Sequence, residues 1–387
     1  MSYKKWVNAE IDKAKASALS EKLNIDAFVA FLLVSRGIDD ELAASEFLSD
    51  GCRFSSPYLL KDMDKAVKRI NRALDDGESI CIYGDYDCDG VTSTALLYTF
   101  LSALGGFVSY YIPNRATDGY GMNFKAIDKI KADGTDLIIT VDNGISSIEE
   151  AEYIYSLGMQ LIVTDHHQIG ENLPRAEAVI NPHREDNETE FRDFAGVGVA
   201  FKLACALYDG DVEDLLEDYA DYVTIGTIGD MVPLLNENRA IVKAGLKLIN
   251  TDAKIGICAL KKSTNSKAEH FSATDVAFQI CPRINAAGRM DTANLAVDLL
   301  TCEDNEIAEY KAEQLNLENT HRHEVEEKID KDIAEIMAND RAYQTDRVIV
   351  VAGHNYHKGV IGICAAHLVE LYSKPAIVIG IDDEGNA

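Results

Sequence analysis

Short apolar runs alternating with amphipathic stretches dominate the middle of the chain. Residues 79–83 and 137–141 are five-residue, largely apolar runs, the mark of strands buried on both faces. Further strands are predicted over 108–112, 161–163 and 178–180. Between them the spacing predicts helices over 91–104, stopped by Gly105-Gly106, and over 124–131 and 147–157. Ahead of the first strand, 62–74 reads as an amphipathic helix ended by Asp75-Asp76-Gly77. This alternation implies an α/β fold with a mainly parallel sheet and helices on both faces.

The flanks have other patterns. Within residues 1–50 the apolar spacing predicts a helix over 23–36 and a second over 39–48. After Gly198 the chain turns helical, through 222–228 and 239–249. A charged stretch over 303–338 has few breakers and predicts one or two long solvated helices serving as a linker. Strands return over 347–352 and 376–381, around a helix over 360–371. The expected organisation is a helical segment over 1–50, a main α/β domain over 51–301, linker helices over 302–344 and a second, smaller α/β domain over 345–387. No internal repeat is visible.

Composition adds exclusions. The longest wholly apolar run, 28–34, is far too short to span a bilayer, and the start has no apolar segment of the secretory kind, so no membrane association is expected. Eight cysteines include no C-x-x-C pair. Neither a zinc knuckle nor a disulfide framework fits, and a reducing cytoplasm is the expected location. Acidic residues outnumber basic ones 65 to 37, giving a net charge of −28. Taken alone, that balance argues against nucleic acid as a partner. Any nucleic-acid function must rely on bound cations and a local arginine cluster.

The sharpest feature is Gly84-Asp85-Tyr86-Asp87-Cys88-Asp89-Gly90, directly after a predicted strand. In an extended segment alternate side chains point the same way, so Asp85, Asp87 and Asp89 are expected to converge. Three crowded carboxylates repel one another unless a cation neutralises them, and oxygen-rich clusters suit manganese or magnesium. The run matches the first half of a calcium EF-hand loop, but the twelfth residue from Asp85 is Leu96, not glutamate, and a strand precedes it. A solvated acidic turn is the remaining bland alternative. Against it, Asp142 follows the strand at 137–141 and Asp165-His166-His167 follows that at 161–163. Parallel strands present their C-terminal ends at one edge, where ligands bind. Asp230, flanked by apolar residues, is either a further ligand or a helix cap. Arg283 and Arg289 flank what reads as a small-residue turn, Asn285-Ala286-Ala287-Gly288, suited to close approach of a phosphate backbone; surface salt bridging is the alternative for either arginine. His354 and His357 face a cleft or cap a helix. Gly196-Val197-Gly198 reads as a packing turn, not a dinucleotide site.

These motifs, with Tyr111-Ile112-Pro113-Asn114-Arg115, Ile139-Thr140-Val141-Asp142 and His357-Lys358-Gly359-Val360-Ile361-Gly362, resemble the DHH phosphoesterase superfamily, and within it the RecJ-like single-stranded-DNA exonucleases. The resemblance runs essentially from end to end. It implies a DHH domain, a linker helix and a DHHA1-like second domain, with two divalent cations, manganese most of all or magnesium. Asp87 and Asp142 would hold one ion with Asp85 nearby; Asp89, Asp142, His166 and Asp230 would hold the other. His167, with Asp165, would sit at the scissile phosphate as ligand or acid. Arg115, Arg283, Asn285, Arg289 and His357 would line the substrate path.

The implied activity is 5′-to-3′ hydrolysis of single-stranded DNA in repair and recombination, with a single-strand-binding protein and a helicase as partners. The family continues past a strand like that at 376–381 with a basic glycine- and serine-rich turn and an OB-type fold, so the second domain is expected to be incomplete. Two other functions stay open: a phosphodiesterase for short oligonucleotides or cyclic dinucleotides, and a non-catalytic replication or repair adaptor.

Overall fold

The computed structural model describes residues 7, 10–49, 54–115, 118–119, 121–339 and 342–386. Five parallel strands form the main sheet: β1 (Ser79–Tyr83), β2 (Phe107–Tyr111), β3 (Leu137–Val141), β4 (Gln160–Thr164) and β5 (Ala178–Ile180), in the order β2-β1-β3-β4-β5. The chain runs outward from β1 to β2 and then returns to lay β3 on the other side of β1. The order therefore reverses between β1 and β3, which opens a crevice at their C-terminal ends.

Period-two alternation sends side chains to both faces. Ile80, Ile82, Leu137, Ile139 and Val141 pack into one core with the helices Met63–Asp76, Cys88–Ala103 and Gly196–Leu207. Cys81, Tyr83, Ile138, Leu161 and Val163 pack into a second core with the helices Phe124–Ala132 and Ile148–Ser156. The α/β fold with helices on both faces is as expected. The first face also carries an all-helical half, built from Val212–Gly229, Asn236–Thr251, Ile255–Ser263, Cys281–Met290 and Asn294–Leu300.

Two local expectations need correction. The stretch read as a turn at 285–288 is the interior of the helix Cys281–Met290; Pro282 in its first turn and the alanines behind it favour helix. The N-terminal segment holds three helices, Lys13–Leu23, Ala27–Ser35 and Glu41–Leu48, where two were expected. Asn24 takes a left-handed conformation and caps the first, breaking the run that apolar spacing made continuous. The boundary at residues 50–51 falls outside the described residues.

The charged stretch forms one 35-residue helix, Asn305–Asn339. It is not a solvated strut. Ala308, Ala312 and Leu315 join the main core, whereas Ile329, Ile333 and Met337 pack on a small βαβ unit made of β6 (Ile349–His354), the helix Ile361–Tyr372 and β7 (Ala376–Ile381). β6 and β7 pair in parallel. One helix thus packs into both cores. No helix among the described residues is long and apolar enough to cross a membrane.

Candidate metal centre

The first acidic motif does not stay extended. Asp85 lies in the turn after β1, Asp87 is the N-cap of the helix Cys88–Ala103, and Asp89 sits in that helix's first turn. The three carboxylates converge because a strand end, a cap and a helical turn lie together, not because alternate residues share a face. One oxygen of Asp87 accepts from the amides of Asp89 (2.9 Å) and Gly90 (3.0 Å), as N-cap carboxylates do. Asn285 Oδ1 accepts from the Cys88 amide at 2.7 Å, so the helix Cys281–Met290 braces the motif from behind.

Asp142 ends β3 at the switch point with a left-handed backbone, φ 59°. Asp165, after β4, takes the amides of His166 (2.7 Å), His167 (3.1 Å) and Ile145 (2.9 Å), and its Oδ1 meets His167 Nδ1 at 2.7 Å. Both its oxygens are engaged, so Asp165 orients His167 and is not placed to ligate an ion. Asp230 ends the helix Val212–Gly229 and brings Oδ2 to 3.7 Å from His166 Nδ1.

Three triads emerge in which one ligand atom from each residue lies within 4.8 Å of the others: Asp85, Asp87 and Asp142; Asp89, His166 and Asp230; and Asp142, His166 and His167. Asp142 belongs to two of them. Asp85, Asp89 and Asp142 are buried, and among the described residues none forms an ion pair with lysine or arginine. His166 Nε2 stands 3.0 Å from Asp142 Oδ1 but out of hydrogen-bond alignment; both atoms, with Asp85 Oδ1, are buried without a hydrogen-bond partner. Buried anionic oxygens with no donor are costly. A pair of divalent cations fits this donor set: oxygen-rich, with a nitrogen, and short of positive charge.

Protonation follows the same physics. Burial first, then the charge of Asp87, raises Asp85 to about 7 and Asp230 to about 6. Burial drives Asp89 and Asp142 well above the usual carboxylate range, helped by Asp230 and Asp89 respectively. The two adjacent histidines go opposite ways. Burial, then the charge of His167, lowers His166 to about 4, which keeps its ring neutral and able to ligate; the hydrogen bond to Asp165 raises His167.

A raised folded-state carboxylate pKa favours the protonated fold. Stability from Asp85 and Asp230 is therefore present at acid pH and lost as pH rises from about 4 through about 6 to 7, by roughly 1.4 kcal/mol per unit for each group. The melting temperature gained on adding manganese to chelator-treated protein is expected to be larger near pH 7.5 than near pH 5. An equal gain at both pH values would contradict this account of the centre.

The structure also exposes contributions that the sequence reading missed. Gly196 and Val197, taken as a packing turn, donate their amides to Asp89 Oδ2 (2.6 Å) and Oδ1 (2.8 Å), so the start of the helix Gly196–Leu207 anchors that carboxylate. Asn181, past β5 at the same sheet edge, donates to the His167 carbonyl at 2.9 Å. The order of strands, invisible in single motifs, is what brings both to the centre.

A cleft of about 530 Å³ lies next to the centre, lined by Asn114, Arg115, Arg289, His357 and Lys358 among others. Arg115 sits over the Tyr86 ring, 5.2 Å from its centroid. Arg289 donates to the Gly359 carbonyl at 3.1 Å; burial and then the charges of Arg115 and Arg322 lower its pKa, a sign that cations crowd here. Arg283 and Asn285 do not line the cleft. Arg283 is held by Asn316 (3.0 Å) and the Gln279 carbonyl (2.6 Å), and Asn285 by Cys88. Both side chains make contacts that hold the helix Cys281–Met290 to its neighbours.

Residues 79–227 match the DHH family, N-terminal domain. A crystal structure of exonuclease RecJ bound to manganese superposes with a TM-score of 0.74 at 33% identity, covering 84% of this chain and 82% of that one. The chain belongs to the RecJ branch of the DHH family. RecJ from Thermus thermophilus, in complex with Mn2+, superposes with a TM-score of 0.80 at 30% identity over 96% of this chain and 53% of its own. The single-stranded-DNA-specific exonuclease RecJ of Bacillus subtilis is 41% identical over 381 residues, 98% of this chain but 48% of that protein. The chain thus spans about half the length of that RecJ relative.

Proposed function

We propose that this chain is the nuclease core of a divalent-cation-dependent exonuclease that hydrolyses single-stranded DNA from the 5′ end, in repair and recombination. The observation that carries the proposal is the set of buried, unbonded ligand atoms on Asp85, Asp142 and His166 beside a cation-lined cleft. In this proposal Asp85, Asp87 and Asp142 hold one ion, Asp89, Asp142, His166 and Asp230 hold the second, and manganese or magnesium suits both sites. Such ions supply positive charge to the phosphate and lower the pKa of the attacking water.

The chain's own residues do the rest. Asp165 orients the His167 ring through Nδ1, and in this proposal the His167 ring holds a proton at the phosphate or the leaving oxygen. Arg115, Arg289, His357 and Lys358 receive the nucleic-acid backbone in the cleft, where a guanidinium fork matches a phosphate. Their local charge offsets the unfavourable overall charge of −28 for a polyanion. A helicase that frees single strands and a protein that coats them are the partners this activity calls for in the whole protein.

The test is digestion by the full chain, with manganese, of single strands labelled at either end, of duplex DNA, and of two- to five-nucleotide fragments. Release of mononucleotides from the 5′ end of long single strands, abolished by chelator, is expected. Cleavage confined to the short fragments would replace the proposal with an oligonucleotide phosphodiesterase. No hydrolysis under any metal would favour an adaptor.

A further inference from the structure

Arginines on the elements near the cleft differ in what their donors do. Arg283 spends donors on Asn316 and the Gln279 carbonyl, Arg289 donates to the Gly359 carbonyl, and Arg322 is held by Asn319 and Glu326. Arg115, which lines the cleft, is held differently. Among the described residues it forms no hydrogen bond and no ion pair, and its guanidinium lies over the face of Tyr86, 5.2 Å from the ring centroid. Two other arginines among the described residues stack on rings, yet each is tied a second way. Arg175, over Tyr155, also reaches Glu152 at 3.1 Å, and Arg239, over Phe47, also donates to that residue's carbonyl at 3.1 Å. Arg115 keeps its donors unspent.

Tyr86 is itself held in place. It stands between Asp85 and Asp87, two members of one ligand triad. The helix Cys281–Met290 presses on its backbone: a Cβ at Gly288 would fall 2.3 Å from the Tyr86 carbonyl oxygen and 3.0 Å from the Tyr86 Cβ. Glycine at 288 is what permits so close an approach. The backbone carrying the ring is thus fixed together with the carboxylates on either side of it.

We propose that Tyr86 is a positioning residue for the substrate: its ring holds the Arg115 guanidinium at a set distance from the metal centre, so that the unspent donors meet a backbone phosphate of the single strand. This deepens the function proposed above and rests on it. The negative face of an aromatic ring attracts a cation without consuming an N–H. A carboxylate partner would take up two of the five donors in the guanidinium fork, whereas a ring leaves them for a phosphate. The ring also offsets the repulsion between Arg115 and Arg289, which line the same cleft. Metal ligands and guanidinium support occupy three consecutive residues, so the spacing between the ions and the phosphate contact is set within one short segment. The competing account is that Tyr86 only fills space beside the helix Cys281–Met290.

Steady-state digestion of end-labelled single strands by the full chain with manganese separates the two. Tyr86→Leu is expected to raise KM about tenfold, with kcat and manganese affinity little changed, and Tyr86→Phe, which keeps the ring face, to stay within about twofold of wild type. In an Arg115→Ala background Tyr86→Leu should cost less than about twofold, because no guanidinium is left to hold. Should Tyr86→Leu misfold, phenylalanine with increasing ring fluorination at position 86 keeps the shape while draining charge from the ring face, and KM should climb with each fluorine added. A wild-type KM in Tyr86→Leu, an equal cost of that change with and without Arg115, or a KM indifferent to fluorination would overturn the proposal. So would a loss of manganese affinity with KM unchanged, which would assign Tyr86 to the metal centre alone. No hydrolysis of single strands by the wild-type chain would overturn the function proposed above, and this inference with it.

Discussion

Replacing Asp142 with asparagine is expected to abolish cation-dependent hydrolysis while raising the stability of the ion-free protein. Asp142 is the residue shared by two of the triads, it is 2% exposed, and its Oδ1 has no hydrogen-bond partner. Asparagine keeps the shape and removes the charge. Activity should fall on the order of a thousand-fold or more, beyond the about 10–100-fold that loss of an outer-shell partner costs. Stability should move the other way. Burial and the charge of Asp89 hold the Asp142 carboxyl well above its usual range, so in the empty centre it is a liability that asparagine removes. Chelated Asp142→Asn should therefore melt above chelated wild type, and manganese should raise its melting temperature little. A variant that loses activity and melts lower in chelator would assign Asp142 a structural role instead.

The second large effect is expected at Gly196. A Cβ there would lie 2.6 Å from the Asp142 Cβ and 2.9 Å from its Cα, distances no side chain tolerates without a backbone shift. Moving the start of the Gly196–Leu207 helix pulls two amides off Asp89 and crowds Asp142 at once. Gly196→Ala should thus cost about 1–3 kcal/mol of stability from overpacking and about 10–100-fold in manganese affinity. Gly198→Ala is the control, because the atoms nearest its Cβ, from 3.1 Å outward, belong to the Phe194 side chain and not to a metal ligand. Isothermal titration with manganese measures both. Equal affinities in the two variants would remove the Gly196 helix from the account of the centre.

The strands and ligand types were legible because each left a local mark. β1, β3 and β5 run as expected from apolar runs bounded by turns, and the acids stand directly after the first two of them and after β4. What was not legible was set by contacts distant in sequence. Asp89 belongs to a helix because Asp87 caps it, a choice the motif's alternation conceals. The bond from the Cys88 amide to Asn285, 197 residues away, left no mark in either motif. The Gly196 and Val197 amides reach Asp89 from more than 100 residues away, and one-strand patterns carry no information about strand order. The long helix read as solvated because its buried stripe is thin and shared between two cores.

Anomalous scattering from crystals grown with manganese tests the central claim most directly. Two peaks are expected on either side of Asp142, one near Asp85 and Asp87 and one near Asp89, His166 and Asp230. Manganese density absent from the surroundings of Asp142 and His166, in well-ordered crystals, would contradict the account.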